Sequence, residues 1–108
     1  MGSPMYMSPE QVSGEKLDLK SDIYSLGITF FQMLTAKFPY EVNVSREELF
    51  KSIKYGDLKK INDFVPWGSK ECQNIVNKAT EKTTYLRYKD CKEFIQDVKE
   101  LEQVHEAG

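Results

Sequence analysis

Residues 21–36 read SDIYSLGITFFQMLTA, and this stretch decides the fold class of the 108-residue chain. Its large apolar residues fall on nearly every side of a helix: Ile23, Tyr24, Leu26, Ile28, Phe30, Phe31, Met33 and Leu34. A helix that is apolar all round is normally buried all round, so we expect it to be the central post of a larger helical body. Gly27 in its middle costs about 1 kcal/mol relative to Ala, which predicts a close approach by another backbone.

Capping patterns predict further helices on both sides of this segment. Ser8 before Pro9 is typical of a helix start, and Gly14 would end that short helix. Residues 15–20 are predicted to be a polar loop. Later caps are predicted at Ser45 with Glu48, at Ser69, and at Asp90 with Glu93. Apolar residues follow them at helical spacing: Leu49, Phe50 and Ile53; Cys72, Ile75, Val76 and Ala79; Cys91, Phe94, Ile95, Val98 and Leu101. With no convincing strand, the prediction is an all-α domain of about five helices.

The composition excludes several classes of protein. A hydrophobic share of 40% and a charged share of 30% are those of a soluble globular domain. The net charge of −2 gives no basic surface for nucleic acid or an anionic membrane. Apolar runs stay far below the roughly 20 residues of a membrane span, and residues 1–4 lack the pattern of a signal peptide. We therefore expect a cytoplasmic chain without nucleic-acid or membrane partners.

Cysteine and histidine are scarce, which limits disulfide and metal chemistry. Cys72 and Cys91 are the only cysteines, and both fall on apolar helix faces, so we expect reduced, buried thiols. His105 is the only histidine. Since a metal site of this type needs three or four clustered ligands, no metal site is predicted.

Four motifs resemble those of Ser/Thr protein kinases. Residues 2–11, GSPMYMSPEQ, resemble the end of the activation segment, usually G-T-x-x-Y-M-[AS]-P-E. Residues 20–27, KSDIYSLG, are similar to the kinase pattern that opens the central helix. Residues 33–40 are similar to M-L-T-G-x-x-P-F, and Arg87 stands in the place of the final kinase Arg. Ser3 replaces the usual Thr, residues 36–37 replace a Gly, and residues 83–84 replace an acidic-proline or asparagine-proline pair.

In the order and spacing of these motifs the chain resembles the eukaryotic-like Ser/Thr kinases, and the motif sequences are most similar to those of bacterial members. The resemblance implies that residues 1–108 are a partial kinase domain, the C-terminal subdomain of the large lobe. It implies a structural ion pair between Glu10 and Arg87, and scaffold roles for Asp22 and Gly27 at the central helix. It also implies a substrate-docking loop made of Gly2, Ser3, Pro4, Tyr6 and Met7.

Each of these roles has a simpler alternative. Glu10 and Arg87 could be two unrelated surface charges. Asp22 could serve only as a carboxylate in the first turn of a helix, where exposed N–H groups favour negative charge. Residues 1–7 could be a terminus without fixed structure, because their packing partners in a kinase precede Met1.

Motifs that the chain lacks lead us to expect no activity from it alone. Phosphoryl transfer needs a Gly-rich loop, a strand Lys and metal-binding and catalytic acids. The sequence has no G-x-G-x-x-G and no H-R-D, and the DFV of residues 63–65 lacks the glycine of D-F-G. We therefore predict no catalytic residue and no cofactor site in this chain. The parent kinase would use ATP and Mg²⁺ to phosphorylate a protein substrate. The parent could also be anchored to a membrane by a segment outside these residues.

Two other functions remain open from the sequence. The chain could be a stand-alone, kinase-derived interaction module, or an unrelated all-α domain. Whether the chain is a kinase fragment or a kinase-derived interaction module, apolar parts of residues 23–34 would be uncovered. A large uncovered apolar patch favours association. The expected partner is the N-terminal part of the kinase domain or a second copy of this chain.

Overall fold

Five α-helices form the computed structural model, which describes residues 4–107 and side chains from Pro4 to Leu101. They are α1 (Pro9–Val12), α2 (Leu19–Thr35), α3 (Arg46–Tyr55), α4 (Lys70–Ala79) and α5 (Cys91–Ala107). Single 3-10 turns lie at Pro4–Tyr6, Ile61–Asp63 and Thr84–Leu86. The described range contains no β-strand, so the predicted all-α class with about five helices is confirmed.

Serine side chains start three of the helices, as the sequence predicts. Ser8 Oγ accepts from the backbone N–H of Gln11 at 3.3 Å, and Gln11 Oε1 accepts from Ser8 N at 2.8 Å. Ser45 Oγ and Ser69 Oγ each accept from the N–H three residues later, both at 3.1 Å. These contacts satisfy N–H groups that have no partner within the helix.

Helix α2 begins earlier than predicted. Asp18 Oδ1 accepts from the N–H groups of Lys20 and Ser21 at 2.8 and 3.3 Å, which places the first helical residue at Leu19. The prediction of a loop over residues 15–20 is therefore wrong at its end. Asp18 is a favourable cap, but Leu19 is the only apolar residue between it and Ile23, so the apolar pattern did not mark the helix start.

Three apolar clusters surround α2, and α2 contributes to all of them. The first cluster consists of Ile23, Ile75, Ala79, Tyr88 and Phe94. The second cluster consists of Tyr24, Ile28, Tyr40, Leu49 and Ile53. The third cluster consists of Phe31, Ile61 and Val76. Helix α2 is thus the central post, with α4 and α5 on one side, α3 on another, and the 3-10 turn Ile61–Asp63 at its C-terminal end.

One side of α2 is open. Leu19, Leu26 and Met33 are 49%, 37% and 78% exposed, and Asp22 and Thr29 are exposed between them. Their spacing puts these five residues along one stripe of the helix, which we name the open face. The apolar pattern taken alone predicts burial all round and is wrong on this side, whereas the prediction that apolar parts of residues 23–34 are uncovered agrees with the exposure of Leu26 and Met33. The apolar pattern was complete, but the described residues place elements against only three sides of the helix.

Gly27 lies where α2 meets the end of α4. A Cβ at this position would be 2.7 Å from Ala79 Cβ and 2.7 Å from Thr80 Cγ2, and 3.4 Å from the carbonyl carbon of Ala79. No real Cβ tolerates contacts this short without a shift of its neighbours. The absence of a side chain at residue 27 is what allows α2 and α4 to pack at this distance.

Neither a membrane span nor a metal centre is found in the described part of the chain. Between residues 4 and 107, none of the helices has both the length and the apolar character needed to cross a bilayer. Nor do the described His, Cys, Asp and Glu side chains gather in threes that could hold a metal ion.

Candidate functional site

The chain segment before α1 is fixed against α2. Residues 4–6 form a 3-10 turn, in which the N–H of Met7 donates to the carbonyl of Pro4 at 3.2 Å. Ser25, one turn into the buried part of α2, donates from its hydroxyl to the carbonyl of Tyr6 at 2.7 Å. The described part of the predicted docking loop, Pro4, Tyr6 and Met7, therefore has a fixed structure; Gly2 and Ser3 lie outside the described residues.

The side chain of Tyr6 provides two further contacts for this loop. Its hydroxyl donates to Gln32 Oε1 of α2. Its ring packs edge-on against Phe38, with 5.3 Å between ring centroids and 74° between the planes. Such edge-to-face pairs add about 0.5–1.5 kcal/mol to the burial of the rings. The loop is thus held by both polar and aromatic contacts.

Glu10 and Arg87, 77 residues apart in the sequence, form a bidentate ion pair. Arg87 Nη1 donates to Glu10 Oε2 at 2.6 Å, and Nη2 donates to Oε1 at 2.7 Å. The Arg87 side chain is fully buried and that of Glu10 is 11% exposed. A planar guanidinium matches the two carboxylate oxygens, a geometry that Lys cannot reproduce.

Arg87 also binds two backbone carbonyls. Its Nε donates to the carbonyl of Glu81 at 2.6 Å, and Nη1 donates to the carbonyl of Lys20 at 2.9 Å. The guanidinium carbon lies 5.1 Å from the ring centroid of Tyr24, a cation–π distance. Each of its three nitrogen atoms is therefore paired, and the side chain ties together α1, the start of α2 and the α4–α5 connection.

Hydrogen bonds to Glu10 outweigh the effect of its burial. Burial is the largest single influence and would raise the pKa of the Glu10 carboxyl. Hydrogen bonds from Arg87, from a backbone N–H and from Ser21 Oγ at 2.8 Å, together with the charge of Arg87, instead lower this pKa from 4.5 to about 2. The carboxylate is therefore ionised throughout the physiological range.

The polar network continues into the second cluster. The hydroxyls of Tyr24 and Tyr40 share a buried hydrogen bond. Burial raises the pKa of Tyr24 to about 12, and burial together with Tyr24 raises the pKa of Tyr40 as well. Both phenols are therefore neutral at physiological pH and serve as structural hydrogen-bonding groups.

Lys82 provides a second tie between the α4–α5 connection and the rest of the chain. Its Nζ donates to the carbonyls of Ile53 and Ser52 at 2.7 and 3.4 Å, at the C-terminal end of α3. A cation is favoured where helix carbonyls lack internal partners. Burial lowers the pKa of Lys82, while Asp57 opposes this shift.

The remaining predicted residues lie apart from the ion pair. Asp22 is exposed in the first turn of α2 and belongs to the open face, whereas Gly27 faces α4. Sequence reasoning missed two serines of α2. Ser21 donates to the Glu10 carboxylate, and Ser25 donates to the Tyr6 carbonyl. A signal was present, because two serines four residues apart in an otherwise apolar helix need partners when that side is buried.

Comparison with known proteins gives the same assignment as the motifs. The family model of the protein kinase domain matches residues 1–101. The chain is 35% identical over 103 residues to serine/threonine-protein kinase PrkC of Bacillus subtilis, which covers 92% of this chain. It is 36% identical over 101 residues to the probable serine/threonine-protein kinase PknB of Lactococcus lactis, covering 90% of this chain.

An all-α body whose first segment is tied down by a buried Glu–Arg pair is therefore part of a kinase helical lobe. The chain belongs to the protein kinase family, and the predicted resemblance to eukaryotic-like Ser/Thr kinases is confirmed. The chain spans 15% of the length of each of these two relatives.

Replacing Arg87 with Ala should destabilise the fold strongly, because the Glu10 carboxylate would stay buried without its partner. We expect Arg87→Ala to lower the free energy of unfolding by about 3–5 kcal/mol, as measured by urea denaturation. Arg87→Lys should also destabilise the chain, since it keeps the charge but loses the fork. Arg46→Ala, at an exposed arginine of α3 that contacts the Phe50 ring, is the control and should cost no more than about 1 kcal/mol. An unchanged transition for Arg87→Ala would contradict the structural role of the pair.

The low pKa of Glu10 predicts a specific loss of stability in acid. Ionised Glu10 stabilises the folded state above its ordinary pKa of 4.5, and this contribution disappears as the pH falls from 4.5 to about 2. Glu10→Gln removes the titrating group. The difference in unfolding free energy between the two proteins should be largest above pH 4.5 and should shrink steadily toward pH 2, as measured by urea denaturation at each pH. A difference that stays constant over this interval would show that the pKa is not lowered.

Proposed function

We propose that this chain is the substrate-side structural part of a protein Ser/Thr kinase. The parent enzyme transfers the γ-phosphate of ATP to a Ser or Thr hydroxyl of a protein in the cytoplasm. The single observation that carries the proposal is the buried Glu10–Arg87 pair in a chain of the kinase family. This pair holds the segment that leads into α1 at a fixed place on the helical lobe.

The proposed docking element is the loop of residues 2–7, of which the structure describes residues 4–7. Its carbonyl at Tyr6 is held by Ser25, and its Tyr6 hydroxyl is held by Gln32, so the loop is positioned by the rigid central helix. A loop fixed in this way costs little conformational entropy when a substrate binds. It would receive the substrate residue that follows the phosphorylated Ser or Thr.

The chemistry itself is assigned to other parts of the parent kinase. Positioning of ATP and Mg²⁺ requires a Gly-rich loop, a strand Lys and two acidic residues from the catalytic motifs. The 108 residues contain none of those motifs. ATP and Mg²⁺ would therefore bind to residues of the longer parent, and this chain alone would be inactive.

A chimera tests this division of labour. The 108-residue chain, incubated with radiolabelled ATP, Mg²⁺ and a protein substrate, should incorporate no label above background. The preceding part of the kinase domain of the Bacillus subtilis relative, joined to this chain, should restore phosphorylation. Arg87→Ala in the chimera should remove that activity, and Arg46→Ala should not. Turnover by the chain alone, or a folded but inactive chimera, would count against the proposal.

The open face supports a second function, that of an interaction module. Leu26 and Met33 expose apolar surface on the same stripe of a helix whose other three sides are buried. Exposed apolar stripes of this kind favour association. In the parent, the preceding part of the kinase domain would cover the open face; in the isolated chain, a second copy would do so.

Self-association of the isolated chain is measurable. We expect light scattering at high concentration to give a dimer or a larger species, because pairing removes Leu26 and Met33 from water. The double substitution Leu26→Lys and Met33→Lys should give a monomer. Ile95→Lys, at an apolar residue of α5 that is 49% exposed, is the matched control and should leave the association unchanged. A monomeric unsubstituted chain would contradict this second function.

A further inference from the structure

A small apolar cleft opens between the C-terminal end of α2 and the N-terminal end of α4. Its volume is about 170 Å³, and it is lined mainly by Leu34, Ile61, Val65, Trp67, Ser69 and Cys72. Leu34, Val65 and Cys72 are among the partly buried side chains that pack on the third cluster. The cleft is therefore the outer end of the apolar core at this end of α2, and it is separate from the ion pair and the docking loop.

Hydrogen bonds fix the backbone around the cleft. The N–H of Ile61 donates to Gln73 Oε1 at 2.8 Å, and the N–H of Val65 donates to the carbonyl of Ile61 at 3.0 Å. Gly68 packs directly against Ile61 at the side of the cleft, since a Cβ at residue 68 would lie 2.4 Å from Ile61 Cγ2. The shape of the cleft is thus set by the fold and does not require a ligand to form.

The chemistry of the lining excludes charged ligands. All the described residues that line the cleft are uncharged. The one hydroxyl among them, Ser69 Oγ, already accepts from the N–H of Cys72 at 3.1 Å. A charged group entering the cleft would lose its water without gaining a partner of opposite charge, which is strongly unfavourable.

Size and lining together indicate the class of ligand. An enclosed apolar cavity of roughly 150 Å³ binds benzene, so a cleft of about 170 Å³ has room for one ring, with its outer side open to solvent beside Trp67. Trp67 is 79% exposed at the cleft, so a ring placed there would gain an aromatic neighbour. Sulfur also makes favourable contacts with aromatic rings, and Cys72 supplies one.

We propose that this cleft binds an uncharged, single-ring aromatic molecule, in contact with Trp67 and Cys72. The proposal goes beyond the kinase function. It uses none of the residues of the docking loop, the ion pair or the open face, so it stands whether or not those proposals hold.

Trp67 reports on the cleft directly, because it is the only tryptophan of the chain. Toluene is titrated into the 108-residue protein, and the NMR signal of the Trp67 indole N–H is followed. The expected result is a shift that saturates. A shift that grows linearly to the solubility limit, or no shift, would overturn the proposal, and this titration of the unsubstituted chain decides it alone.

Matched cysteine variants locate the binding. Cys72→Leu fills the cleft and should weaken toluene binding by about tenfold or more. Cys91→Leu makes the same change at the other partly buried cysteine, on α5, and should leave the affinity unchanged. Equal affinity in both variants would place the toluene outside the cleft and overturn the assignment.

A measurement on the unsubstituted chain covers the case in which Cys72→Leu does not fold. Iodoacetamide alkylation of both cysteines is followed by peptide mass spectrometry with and without toluene. Bound toluene should slow alkylation of Cys72 and leave the rate at Cys91 unchanged. A Cys72 that reacts at the same rate in both conditions would also overturn the proposal.

Discussion

Three segments that are distant in the sequence meet at the buried guanidinium of Arg87. Glu10 of α1, the carbonyl of Lys20 in α2 and the carbonyl of Glu81 after α4 all accept from it. A buried cation without acceptors is costly, so these three segments are stable together only where each supplies its oxygen. Apolar packing alone is not directional. The hydrogen bonds to Arg87 are directional, and they therefore favour one arrangement of the three segments.

Both halves of α2 contact the segment before α1, and both pack on α4. Near the N-terminal end, Ser21 donates to Glu10 and Ser25 donates to the Tyr6 carbonyl, while Gln32 further along accepts from the Tyr6 hydroxyl. Phe31 reaches the third cluster near the C-terminal end, beyond the point where Gly27 lets α4 approach. Ile23 of the N-terminal half packs with Ile75 and Ala79 of α4, and Phe31 of the C-terminal half packs with Val76, so α4 is held along most of α2.

Local patterns predicted the helices well, because caps and apolar stripes act within a few residues. The sequence alone missed Asp18 as the cap of α2, and the apolar periodicity by itself did not show that Leu26 and Met33 lie on an uncovered side of the helix. Periodicity shows which positions are apolar, but it cannot show which neighbours cover them. The Glu10–Arg87 pair came from the family resemblance. Its carbonyl partners could not be predicted, since any residue type supplies a carbonyl.

The open face and the cleft require different occupants for geometric reasons. The open face is a stripe along a convex helix, interrupted by Asp22 and Thr29, so a small molecule placed there would stay mostly in water. Only another folded surface can bury it. The cleft beside Trp67 is concave, with side chains from α2, α4 and the segment around Ile61–Asp63 on its walls, so a single ring there would contact apolar side chains on several sides. Covering the open face would therefore not fill the cleft, and a ligand in the cleft would not replace a missing lobe.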